Sequence, residues 1–298
     1  MEKYPHIENT YRQEKFIVPF LVQFPELLTE TTYIIQEKIH GTNVRIMAQP
    51  DGTIVLGSRN RILSENENHM GLRQVLPKIK DVLSLITTLS RIAKSNVTIY
   101  GELHGAGIQK GIDYGKEKNI LFFDMNVGPL LLSPEQFLTT MKKANLMDRV
   151  VTTLGFANSL KEALAFSPEF HSTISPSESW AEGIVIKPLS KVFYNAHGNI
   201  FYLKNKHPDF QERAKAPKVK SIVVKALSVL LPYITKGRVE GVVLREGGIT
   251  SKKEIGNYIN LVITDIVSDY IKDHPDAELT PNDKSIGKFI VIHLLGML

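Results

Sequence analysis

The 298-residue chain contains no cysteine, which excludes disulfides and thiolate metal sites. It has no apolar run approaching the roughly 18–20 residues of a membrane span. Met1-Glu2-Lys3-Tyr4-Pro5-His6-Ile7-Glu8 has no apolar core and carries acidic residues. That is the composition of neither a signal peptide nor a transit peptide, so a cytoplasmic protein without a membrane partner is expected. Internal repeats and low-complexity tracts are also missing. What is there is ordinary for a soluble globular protein: 43% hydrophobic and 22% charged residues, in a chain long enough for a large domain and a smaller one. The net charge of +5 is compatible with a polyanionic partner without requiring one.

One stretch stands out, Glu37-Lys38-Ile39-His40-Gly41-Thr42-Asn43. Residues 31–39 lead in and 43–49 lead out, both rich in β-type residues. A lysine thus ends a strand just before a glycine, where the backbone turns tightly or approaches a ligand closely. An amine shielded from water there can act as a nucleophile, provided burial or nearby cations favour its neutral form.

A third strand, 53–59, follows the turn Pro50-Asp51-Gly52 and ends at Arg59, suited to phosphate or carboxylate. Residues 70–93 have helical apolar spacing divided by Pro77. Strand 96–103 runs into Gly101-Glu102-Leu103-His104-Gly105, and a glycine-punctuated loop continues to Gly115. In strand 119–127, alternation puts Phe123 and Asp124 on opposite faces, and an unpaired buried Asp124 would be costly. Ser133-Pro134-Glu135-Gln136 has the form of a capping box, and Ser159 opens another helix. Glu182 then heads the β-rich run to Lys187-Pro188. Period two places Lys204 and Lys206 on one face of the last strand, an arrangement suited to polyphosphate. The first 30 residues read as short helices and loops, 211–220 as a linker, and 221–298 as helical, its longest helix over 252–274.

Lys38, Gly41, Arg59, Glu102, Phe123-Asp124, Glu182-Gly183, Lys187 and Lys204/Lys206 occur in an order that resembles the covalent nucleotidyltransferases, the nucleic-acid ligases and capping enzymes. The form Glu-Lys-Ile-His-Gly-Thr-Asn is similar to the RNA ligase 2 family of phages and trypanosome editing ligases. Gly107-Ile108-Gln109-Lys110, Asp113-Tyr114-Gly115 and Lys204-Asn205-Lys206 agree with it. The resemblance implies an α+β fold. Residues 1–218 would be an ATP-grasp-like ligase adenylation domain, with antiparallel sheets around an ATP cleft. Residues 222–298 would be a small helical domain that binds RNA.

It also implies the chemistry. Lys38 takes AMP from ATP, passes it to an RNA 5′-phosphate, and a 3′-hydroxyl displaces it, at nicks in duplex RNA. Lys38, His40, Arg59, Asp124, Lys204 and Lys206 would be catalytic. The nucleotide would be held by Glu37, Lys38, Ile39, Gly41, Asn43, Arg59, Glu102, Phe123, Glu182, Lys187, Lys204 and Lys206. Glu102 would bond the ribose, Phe123 stack on adenine, and Glu182 hold magnesium, with manganese as a substitute. The two lysines on one strand face would also favour a neutral Lys38 by repulsion. Two other readings stand beside this one: a DNA ligase or capping-type enzyme, which usually carries aspartate in place of His40, and a non-catalytic RNA-end-binding protein.

Overall fold

The computed structural model of the chain describes residues 1–210, 230, 233, 235–245 and 255–274. The chain divides into two compact units, Met1–Thr10 with Glu30–Ala216, and Tyr11–Thr29 with Pro217–Leu298. Tyr11–Thr29, expected in the first domain, group with the second unit.

The first unit is built on two five-stranded sheets. Its strands are β1 (Glu8–Asn9), β2 (Tyr33–Glu37), β3 (Thr42–Ala48), β4 (Ile54–Ser58), β5 (Val97–His104), β6 (Asn119–Val127), β7 (Leu130–Leu131), β8 (Thr153–Ala157), β9 (Gly183–Pro188) and β10 (Leu203–Lys206). One sheet has the order β1-β10-β9-β2-β8, the other β4-β3-β5-β6-β7. The expected antiparallel pairing holds except at β1, which the sequence reading placed among loops and which runs parallel to β10.

The chain leaves one sheet at Glu37 and enters the other at Thr42. The stretch around Lys38 is therefore the seam between sheets. Only glycine fits its last position, because a Cβ on Gly41 would lie 2.3 Å from the Leu103 carbonyl oxygen.

The β4-β3-β5-β6-β7 sheet rests on the helix Lys80–Ala93, whose Val82 and Ile86 are fully buried with Ile46, Val97 and Ile99 of the sheet. Pro77 lies in the 3₁₀ turn Leu76–Ile79 and divides the helical segment as its missing N–H requires. The helix Pro134–Lys143 starts with the expected box: Gln136 N–H donates to Ser133 Oγ, and Ser133 N–H to Gln136 Oε1.

The expected alternation in β6 does not hold. Tyr100 pairs with Asp124 but Gly101 pairs with Phe122, so Phe123 is an extra residue in the ladder. Such a bulge re-aims a side chain. Phe123 and Asp124, expected on opposite faces, both meet Tyr4 and Lys187.

In the second unit, the helix Ile255–Asp273 buries Val262, Ile263, Ile266, Val267 and Tyr270, the apolar face expected from its spacing. It is tied to the helix Lys236–Arg245 by Arg238–Asp269 at 2.8 Å and Arg245–Asp265 at 3.0 Å. The expected linker 211–220 and the rest of the expected helical region lie outside the described residues. No described helix is long and apolar enough to cross a membrane.

Candidate active site

A cleft of about 420 Å³ opens between the two sheets of the first unit. From the seam come Lys38, Ile39, His40 and Gly41. One sheet supplies Gln36, Glu37, Val185, Lys187, Lys204 and Lys206, and the other Thr42, Asn43, Glu102 and Phe123, with Arg59 just beyond β4. Every residue assigned to the nucleotide from the sequence therefore lines one cavity. Of those assigned to catalysis, only Asp124 does not.

Strand register explains the cationic wall. Gln36, Val185 and Lys204 form one cross-strand row, so the alternate residues Lys38, Lys187 and Lys206 share their face. The main-chain N–H of Lys38 donates to the Gly183 carbonyl, fixing the end of β2.

Glu182 stands among the cations. Lys38 Nζ donates to Oε2 at 2.7 Å, Lys206 Nζ lies 3.0 Å from Oε1, and His40 Nδ1 lies 3.5 Å from Oε2. Burial pushes this carboxyl up, but His40, Lys38 and Lys206 more than reverse the effect and hold it at about 2. The repulsion expected to act on Lys38 is thus offset, because a carboxylate bridges the two amines. Glu102 shows the opposite balance. Burial raises it to about 7, with Glu182 adding to the rise and Lys38, Gly41 and Arg59 opposing it.

His40 is held from outside the cleft. Its main-chain N–H donates to Tyr114 Oη at 3.0 Å, and Nε2 lies 3.1 Å from the Lys110 carbonyl. Gln109 Nε2 donates to the Gly41 carbonyl at 3.2 Å. The glycine-punctuated loop therefore braces the turn after Lys38. Glu37 turns its carboxylate the other way, accepting from the hydroxyls of Ser172 and Thr173 and from Thr173 N–H.

Asp124 is fully buried. Its Oδ2 accepts from Lys187 Nζ at 2.8 Å and from the Tyr4 hydroxyl. Lys187 also donates to the Phe123 carbonyl at 3.0 Å. Burial lowers Lys187 and raises Asp124, each opposed by the other's charge. Lys187 thus both lines the cleft and makes a buried ion pair.

The sequence reading missed several lining residues. Gln36 was within reach, two positions before Lys38 in a strand. Its Oε1 is buried and, like Asn43 Oδ1, finds no hydrogen-bond partner among the described residues. An unpaired buried acceptor in a cleft suits a ligand's donor group. Val185 follows by register. Tyr4, Pro5 and Ile7 had no local signal.

Cations, an aromatic ring and a lysine amine meet in one cleft, a set suited to a phosphorylated, ring-bearing ligand. A family model described as RNA ligase matches residues 31–206. Naegleria gruberi RNA ligase with PPi matches with a TM-score of 0.51 and 18% identity, over 70% of this chain and 57% of that one. A variant of that ligase with ATP and Mn gives 0.52 and 17%, and another with AMP and Mn 0.51 and 18%, both over 70% of this chain and 57% of theirs. The chain spans little more than half the length of these solved ligases, and at such identities the likeness is one of fold. The family match itself covers more than half of the chain, from the start of the strand before Lys38 to Lys206, and the chain belongs to the RNA ligase family.

Proposed function

We propose that the protein is an ATP-dependent RNA ligase of the RNA ligase 2 type, sealing a 5′-phosphate to a 3′-hydroxyl at nicks in duplex RNA. One observation carries the reading. Lys38 Nζ stands in a cleft whose one sheet brings Lys187, Lys204 and Lys206 and whose other brings the Phe123 ring and Glu102. Cations suit a triphosphate, a ring suits a base, and a carboxyl suits a ribose hydroxyl.

In the first step Lys38 Nζ attacks the α-phosphorus of ATP. A P–N bond forms, the bond from the α-phosphorus to its bridging oxygen breaks, and pyrophosphate leaves with the electron pair while the amine proton goes to solvent. Lys38 must first give up its Glu182 contact. Lys204 and Lys206 stabilise charge gathering on the phosphate oxygens, and Arg59 meets phosphate at the rim. An RNA 5′-phosphate then displaces Lys38 from AMP, and a 3′-hydroxyl displaces AMP from the activated end. Asp124 serves these steps by holding Lys187 rather than by touching substrate.

Magnesium takes oxygen ligands, keeps several waters and binds nucleotide phosphates. Among the described residues no group of three His, Asp or Glu side chains could cage a metal. Glu182 is the carboxylate held ionised in the cleft. The donor set therefore fits a magnesium that arrives on the nucleotide and meets the protein at Glu182, with manganese able to substitute. Its contribution would be neutralisation of phosphate charge.

The helical second unit is the proposed RNA-binding domain. Its binding would rest on phosphate contacts and A-form shape, largely independent of sequence.

Incubation with ATP labelled at the α-phosphate and magnesium, followed by a denaturing gel, tests the reading. Label from ATP on the wild type, weaker label from GTP and none on Lys38→Ala are expected. Absence of label on protein first stripped of AMP by pyrophosphate would sink the catalytic reading and favour a non-catalytic RNA-end-binding protein.

A further inference from the structure

The N-terminal segment is built into the cleft. Tyr4, Pro5 and Ile7 line it. Upstream, the buried Arg45 donates through Nη1 to the carbonyls of Glu2 at 2.8 Å and Met1 at 3.3 Å, and Tyr100 Oη donates to Glu2 O at 3.4 Å. Downstream, β1 pairs with β10 beside Lys204. Tyr4 is thereby fixed from both sides.

Its ring stands edge-on to Phe123, centroids 5.0 Å apart and planes at 71°, and packs on Tyr100 at 5.1 Å. Its hydroxyl donates to the same Asp124 oxygen that holds Lys187, while the other oxygen of that carboxylate has no partner among the described residues. One atom, Asp124 Oδ2, therefore joins the tyrosine hydroxyl to the lysine. Burial and the Asp124 charge raise Tyr4 well above its ordinary range, so the hydroxyl keeps its proton and stays a donor.

We propose that Tyr4 is a positioning residue of the nucleotide site, its hydroxyl holding Asp124 on Lys187 and its ring holding the edge of Phe123. The N-terminal segment thus sets where the buried cation and the base-facing ring of the cleft stand. This rests on the adenylation reading. Lys187 would meet the nucleotide in the ground state and the transition state alike, so its misplacement weakens ATP binding more than it slows the chemistry.

The test is the ATP dependence of label transfer to Lys38 in the full-length protein. Tyr4→Phe keeps the ring and removes the hydroxyl. The ATP concentration for half-maximal rate should rise about tenfold, as expected for one lost hydrogen bond to a charged group. The maximal rate should stay within about twofold. Tyr4→Leu, which also removes the ring, should shift half-saturation further. A merely structural Tyr4 would lower the fraction of molecules that take label without moving half-saturation, and that outcome overturns the proposal.

A second comparison does not depend on how well Tyr4→Phe folds alone. The Asp124→Asn/Lys187→Met pair removes the group through which the hydroxyl acts. Adding Tyr4→Phe there should leave half-saturation unchanged, and an undiminished shift would also overturn the proposal. Failure of the wild type to take label is a different result, and it would defeat the adenylation reading itself.

Discussion

Glu102→Gln should stabilise the protein, and only above acidic pH. The Glu102 carboxyl moves from 4.5 to about 7 on folding, chiefly through burial. Below the lower value both folded and unfolded states hold the proton, and the carboxyl costs nothing. As pH rises through that window the unfolded state ionises first, and the folded state loses ground until Glu102 ionises as well. At about 1.4 kcal/mol per pH unit, the cost reaches roughly 3 kcal/mol above neutral pH. Water reaching this half-buried side chain trims it to about 2 kcal/mol. Glutamine has nearly the same shape and never ionises. Urea unfolding of both proteins at acidic, neutral and mildly alkaline pH gives the comparison. The advantage of the variant should be near zero around pH 4 and grow to about 2 kcal/mol around pH 8, while label transfer from ATP falls. A stability difference that does not change with pH would refute the reasoning, whatever its sign. Glu182 would have the opposite slope. Its carboxyl is held at about 2, so its contribution is present above the ordinary carboxylate range and is lost as pH falls toward 2.

Arg45→Met should lower the melting temperature of the first unit. It removes one buried hydrogen bond, to the Ser58 carbonyl, and two part-buried ones, to Glu2 and Met1, for a loss of about 3 kcal/mol, or roughly 6–12 °C by calorimetry in a domain of this size. Gly41→Ala should reduce label transfer at least 100-fold by the arithmetic of about 3 kcal/mol, because its methyl would enter the Leu103 carbonyl at 2.3 Å. A folded variant with wild-type rate would mean the seam can shift without moving Lys38. Sealing of nicked duplex RNA should weaken steeply between about 50 and 200 mM salt, whereas label transfer from ATP should weaken far less. Equal slopes would argue against a separate phosphate-binding surface.

What the sequence made legible was whatever local periodicity controls. Lys204 and Lys206 share a face because strands repeat every two residues, and β2, β3 and β4 follow their β-branched runs. Gly41 marked a close approach that proved to be with Leu103. Phe123 and Asp124 were misjudged because alternation assumes an unbroken ladder, and a bulge is set by the partner strand. Tyr4 was out of reach for a similar reason, since its partner Asp124 is distant in the chain and nothing near Tyr4 announces it. Nothing local marks Arg45 either, because its bonds to the main chain of Met1 and Glu2 are made across the fold. The bridging of Lys38 and Lys206 by Glu182 is a fact of tertiary geometry that no spacing rule contains.

The seam at Lys38 has a consequence for how the molecule unfolds. Because one short stretch is the last turn of one sheet and the first of the other, neither sheet can open alone and leave the amine in place. Partial openings that spare the site must be confined to elements remote from it. Label transfer therefore counts molecules in which both sheets are closed at the same moment. Set against hydrogen exchange of the β2 and β3 amides, it would show whether the two sheets behave as one cooperative unit or as two that meet at Gly41.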